Sequence, residues 1–145
     1  MVELTYNPVQ TIPAGSSAIL NTTIGCPYGC IINRNESGIC IVRENPRNRC
    51  SSSARYQVTF VGNIALPEGA TVGEISMAIA IDGTPIQTSM ARSTPTAVDQ
   101  YNNITCTAVI DVPRGCCFNV SAINTSGTTD INLQNANMVY KRQNK

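Results

Sequence analysis

Seven cysteines, nine acidic residues and a short run of arginines are the side chains here with chemistry to offer, and no histidine is present to assist them. The thiols are Cys26, Cys30, Cys40, Cys50, Cys106, Cys116 and Cys117. A cysteine nucleophile needs a nearby base, most often histidine, and general acid–base work needs histidine or carboxylates of tuned pKa. The acids are Glu3, Glu36, Glu44, Glu68, Glu74, Asp82, Asp99, Asp111 and Asp130. Most fall in expected turns or at strand ends, so the sequence reads as non-enzymatic. A zinc site would use paired C-x₂-C spacing or histidine, and neither is present. No metal or cofactor is expected. An odd cysteine count excludes complete pairing within one chain. Most of the thiols read as buried, reduced and weakly polar, with at least one disulfide as the alternative. Arg43, Arg47, Arg49 and Arg55 form the one basic cluster, either a solvated loop or a contact for an anionic partner.

Composition narrows the partners. Of 145 residues, 13% are charged, the formal net charge is +1, aromatics are 5% and tryptophan is absent. A nucleic-acid surface needs a basic stripe or stacking rings, and this chain is poor in both. No apolar run approaches the roughly 20 residues of a membrane helix. The start, Met1-Val2-Glu3-Leu4-Thr5, lacks the basic and apolar regions of a signal peptide, so synthesis in a cytoplasm is expected. Asn-x-Ser/Thr triplets begin at Asn21, Asn35, Asn103, Asn119 and Asn124. Asparagine, serine and threonine are so common here that these triplets are weak evidence for glycosylation.

The elements that must position these groups are strands. Ile75, Met77, Ile79 and Ile81 alternate with Ser76, Ala78 and Ala80, the period of a strand with one large and one small face. Asp82-Gly83 follows, the turn of a tight hairpin, with a second strand read over Thr84 to Met90. Ile31–Arg34 and Ile39–Arg43 read as another hairpin. Arg55–Val61 and Ile104–Val112 alternate; Cys117–Ile123, Ile131–Leu133 and Ala136–Lys141 follow. Ala18–Ile24 reads as the first full strand, and Ala97–Asn103 is the only place for a short helix. Nine or ten strands separated by turn signals make an all-β protein, and this number favours a jelly-roll β-sandwich over an immunoglobulin sandwich. Residues 1–13 read as an extended N-terminal arm and residues 14–145 as a single jelly-roll domain.

The off-core residues of the central strands carry no charge. A sandwich that leaves those faces in water would place charges there, whereas charges are depleted from interface cores. Gln57, Thr59, Val61, Ala78, Ala80, Thr107 and Val109 are therefore candidates for contact between subunits, the alternative being an open face solvated by Ser, Thr and Gln.

Several segments resemble a known group. They are Ala54–Phe60, Ala78–Gly83, Asp111–Gly115, Asn119–Gly127 and Leu133–Tyr140. Together they are similar to small structural proteins of Firmicutes phages and prophages, over roughly residues 15 to 142. The resemblance implies a jelly roll like tumour necrosis factor and complement heads, which form compact trimers. It implies a homotrimeric head-decoration or fibre protein on the outer capsid surface, bound to the major capsid protein. A second reading is a surface module of the same fold that binds host or mucosal glycans, or a spore-coat-like trimer head. Scarce aromatics count against sugar stacking.

Overall fold

Strict alternation along one long segment sets the architecture. Tyr56, Val58, Phe60 and Ile64 are completely buried, while Arg55, Gln57, Thr59, Val61 and Asn63 between them point the other way. The computed structural model describes residues 2–24, 32–34, 40–43, 53–113 and 117–143. Its strands are β1 (Val2–Tyr6), β2 (Gln10–Ile12), β3 (Thr22–Ile24), β4 (Ile32–Arg34), β5 (Cys40–Arg43), β6 (Ser53–Ala65), β7 (Ile75–Ile81), β8 (Thr84–Pro85), β9 (Ala91–Ser93), β10 (Asn102–Pro113), β11 (Cys117–Asn124) and β12 (Ile131–Gln143). Among the described residues there is no α-helix, and one 3-10 turn spans Gln87–Ser89.

Two antiparallel sheets face each other. The first runs β10-β6-β12-β1-β3, with β2 also paired to β12; the second runs β4-β5-β11-β7-β8, with β9 also paired to β7. From β3 onward the chain crosses repeatedly between the sheets, which is the jelly-roll path expected from the sequence. The arm read over residues 1–13 contributes two strands to the first sheet: β1 pairs with both β12 and β3, and β2 pairs with β12. Leu4 and Ile12 are core residues for that reason.

The core unites side chains from both sheets. Val58, Phe60, Ile79, Ile110 and Val120 are buried together, and Ile81 packs against them partly covered. Two polar links cross it. The Tyr140 hydroxyl on β12 donates to the Val120 carbonyl on β11 at 3.0 Å, and the Cys106 thiol on β10 donates to the Met77 carbonyl on β7 at 3.4 Å.

The hairpin at Asp82-Gly83 has the expected geometry, with φ of 51° and 83° at the two turn residues. Its second strand is shorter than the sequence suggested. Pro85 has no N–H to extend the ladder, and after Ile86 donates to Ile79 the chain turns into the 3-10 segment. The Ser89 hydroxyl takes the place of a strand partner, accepting from the Ile79 N–H at 3.0 Å and donating to the Ile86 carbonyl at 2.7 Å. No helix forms at 97–103; that segment turns, with Asp99 at φ 56°, and enters β10 at Asn102. Likewise Ala18–Asn21 is not paired as a strand, although Ala18 and Leu20 are buried; β3 begins at Thr22.

Asn124, at the end of β11, closes the bottom of the core. It is 1% exposed. Its amide donates to the Ile12 and Thr129 carbonyls, each at 2.9 Å, and its carbonyl oxygen accepts from the Ser126 N–H at 2.9 Å. Both amide hydrogens are spent, so this Asn-Thr-Ser triplet is structural. Asn124→Ala leaves one buried and two part-buried backbone groups without this partner and is expected to cost about 2–4 kcal/mol. Asn124→Asp, of nearly equal size, sets a carboxylate against two carbonyl oxygens and is expected to cost at least as much. Urea unfolding midpoints at pH 7 measure both.

Candidate functional site

The outer face of the first sheet is where the described structure concentrates the candidate residues. Cross-strand register places Thr107 beside Thr59, Val109 beside Gln57 and Thr105 beside Val61 on β10 and β6. On the other side of β6, Val139 stands beside Thr59 and Asn137 beside Val61. Cross-strand neighbours share a face, so Gln57, Thr59, Val61, Thr107 and Val109 form one surface with Thr105, Asn137 and Val139. The Thr59 and Thr107 hydroxyls lie 3.4 Å apart, and Thr107 also donates to the Val58 carbonyl. Val109 is 56% exposed, the most exposed large apolar residue of a strand among the described residues.

Charge stands at the margins of this face. Arg55 and Asp111 pair across β6 and β10, with Nε to Oδ1 at 2.9 Å and Nη2 to Oδ2 at 3.4 Å. The hydrogen bond and the charge of Asp111 together raise the pKa of Arg55, so the guanidinium is held in its charged form by a partner inside the chain. Lys141 lies beside Gln57, and Glu3 lies beside Val139.

The other two subunit-contact candidates are elsewhere. Ala78 and Ala80 are on β7 of the second sheet and are 0% exposed within the single chain. On the same side of β11, Ser121 stands beside Ala80 and Ile123 beside Ala78, and both are buried as well. The small face of β7 is thus out of water without a second subunit, and as placed it offers no area to one. The arginines do not gather on one sheet: Arg43 ends β5 opposite Cys117 in the second sheet, whereas Arg55 is in the first. Arg47 and Arg49 lie outside the described residues, as do Cys26, Cys30, Cys50 and Cys116.

Residues that sequence reading did not single out complete the face. Val139 and Asn137 extend its centre. At one end four carboxamides form a row, from Asn103 through Asn63 and Asn135 to Asn7. The signal was present in the break of alternation between Leu133 and Ala136, where Asn135 adopts φ 55°.

Among the described residues no group of three or more Cys, Asp or Glu is placed to hold a metal ion. Cys106 is a free thiol, 1% exposed, and burial raises its pKa from 9.0 to about 11, partly offset by a backbone hydrogen bond from Ala91. A thiol held protonated in an apolar setting is a weak nucleophile.

No protein-family model and no curated protein matches the sequence. Among solved structures, the chain is similar to Eiger TNF from S. frugiperda, with a TM-score of 0.63 and 10% identity over 100% of this chain and 94% of that one. It is also similar to the C-terminal family 22 carbohydrate-binding module of Clostridium thermocellum Xyn10B, with a TM-score of 0.40 and 15% identity over 96% of this chain and 85% of that one. The first likeness establishes the fold, a jelly roll of the tumour-necrosis-factor type. The second is too distant to bear on the argument.

Burial of Cys106 has a measurable consequence. Its folded pKa lies above its unfolded value, so the folded chain holds a proton that the unfolded chain releases near pH 9. Stability from this source is complete below pH 9, declines as pH rises, and is gone above about 11. The loss amounts to about 2–3 kcal/mol over the window. Urea unfolding of wild type and Cys106→Ala between pH 8 and 11 is expected to show the steeper decline in wild type.

Proposed function

We propose that this chain is a non-enzymatic, self-associating jelly-roll module, a homotrimer that decorates a phage capsid by binding the major capsid protein. The observation that carries self-association is the uncharged face around Thr59, Thr107, Val109 and Val139. An open sheet face in water ordinarily displays long charged side chains; here Glu3, Arg55, Asp111 and Lys141 border an uncharged centre, and Arg55 and Asp111 are paired with each other. Covering about 500 Å² of apolar surface per subunit gives a gross gain of roughly 12 kcal/mol, before association costs. Micromolar association needs a net of about 8 kcal/mol.

Three-fold closure rests on the likeness to tumour-necrosis-factor heads, because a sheet face does not itself count subunits. The capsid role rests on the similarity of segments such as Ala54–Phe60 and Leu133–Tyr140 to phage structural proteins. In this reading the protein sits on the outer virion surface, with copies of itself and the capsid lattice as partners.

Light scattering coupled to size exclusion at micromolar concentration tests the first part. Wild type is expected at three times the 15.5 kDa chain mass. Val109→Glu and Val61→Glu are expected at one chain mass, with unchanged circular dichroism, since neither side chain is part of the core. A wild-type mass of 15.5 kDa would refute the trimer. Co-sedimentation with purified capsids tests the second part: the trimer is expected to pellet with them, and an unbound trimer would exclude decoration.

A further inference from the structure

The carboxamide row at the end of the same face runs across four adjacent strand positions. Asn103 Nδ2 donates to Asn63 Oδ1 at 3.2 Å, Asn63 Nδ2 donates to Asn135 Oδ1 at 3.3 Å, and Asn135 Nδ2 donates to Asn7 Oδ1. All three bonds point the same way. The row therefore ends in an acceptor, Asn103 Oδ1, and a donor, Asn7 Nδ2, neither with a further partner among the described residues. Each amide has two N–H groups and two carbonyl lone pairs, and the chain of bonds uses only part of that capacity. Asn7, Asn103 and Asn135 are exposed and Asn63 is half-buried, so the rest faces water.

Two further features set the row apart from a merely solvated surface. It is built on a β-bulge: Asn63 faces Gln134, Val61 faces Asn137, and Asn135 and Ala136 occupy the gap. Asn135 holds φ 55° there, a conformation that costs a non-glycine residue energy. Bulges re-aim side chains and are over-represented beside functional sites, and backbone held in a sparsely populated region is a reason to look for function. The side chains are also fixed before any ligand arrives, because each is held by its neighbour. Pre-organisation of that kind lowers the cost of binding.

We propose that this row is a binding site for a neutral oligosaccharide. The ligand must be rich in groups that both donate and accept hydrogen bonds, which hydroxyls do and charged or aliphatic ligands do not. It must be uncharged, since no ionisable side chain belongs to the row. It must be extended: the row crosses three strand gaps, roughly 14 Å. Successive carboxamides are about one strand spacing apart, close to the advance of one sugar ring along an extended chain, so consecutive rings meet consecutive amides. Recognition is by hydrogen bonding. Tyr101, two residues before Asn103 in the chain, is exposed. The site stands independently of the capsid role.

The test uses the full chain on an array of neutral and acidic oligosaccharides, followed by titration of the best neutral binder by isothermal calorimetry. Wild type is expected to bind at least one neutral hexose or N-acetylhexosamine oligosaccharide. Asn135→Gly keeps the positive φ while removing the central amide, so it is expected to weaken that binding about tenfold or more. Its urea midpoint is expected to match wild type or exceed it, which separates a binding role from a structural one. Asn103→Ala, at the exposed end, is expected to weaken binding about three- to tenfold; it decides the matter if Asn135→Gly does not fold. Failure of wild type to bind any neutral glycan, binding of acidic glycans alone, or affinity unchanged in the variant tested would overturn the proposal.

Discussion

One extra residue in β12 governs what both faces of the first sheet display. Ile131 and Leu133 point into the core, and strict alternation would next send Asn135, Asn137 and Val139 inward. The bulge shifts the phase, so Ala136, Met138 and Tyr140 point inward instead. Gly62 makes room for it on β6: a Cβ there would come within 2.6 Å of the Leu133 side chain. The shift lets Tyr140 reach the Val120 carbonyl across the sandwich. It also turns Asn137 and Val139 outward beside Val61 and Thr59 and lifts Asn135 into the carboxamide row. Core closure and surface chemistry therefore depend on the same backbone irregularity.

That link explains why the sequence was readable in some places and not in others. Where a strand is buried on one face, period-two alternation is enforced by the core, and β6 and β10 could be read from it; β7, buried on both faces, was legible from its alternation of large and small residues. The turn at Asp82-Gly83 was legible because positive φ restricts the residue types. The broken pattern of β12 was legible as a break, giving two short strands, but not as one strand with a bulge, because a bulge and a loop look alike in one dimension. The second strand of the Asp82-Gly83 hairpin failed for a different reason. A serine hydroxyl replaces its ladder hydrogen bonds, and nothing in the spacing of Ser89 announces a contact with Ile79.

The candidate site was half legible on similar grounds. An uncharged outer face follows from residue type once strands are assigned, so Gln57, Thr59, Val61, Thr107 and Val109 were found together. The same reasoning failed to distinguish Ala78 and Ala80, because small neutral residues suit two situations. They fit a face waiting for another subunit, and they fit a face already buried within one chain, as here. Alternation reports which residues share a face, but what covers that face is a tertiary fact. Arg55 shows the same limit with charge: four arginines near one another in sequence suggest a free basic patch, yet Arg55 is answered by Asp111, fifty-six positions away on the neighbouring strand.

The exposed face divides into two zones with different physics. At the centre, threonine and valine present methyl groups and hydroxyls, one of which, Thr107, is already turned toward its own backbone. Apart from the Gln57 and Asn137 side chains the zone offers only short hydroxyls and methyl groups, so burying it against a flat neighbour costs less desolvation than burying the row. At the end, the carboxamides keep unspent donors and acceptors, and burying them against an apolar surface would carry the full cost of unpaired polar groups. Val61 separates the two zones on β6, two residues and roughly 7 Å from Asn63. A subunit packed on the centre can therefore leave the row at its rim, in water, where polar groups at interfaces are ordinarily found. Assembly and ligand recognition need not compete for the same surface, since each zone repels what the other attracts.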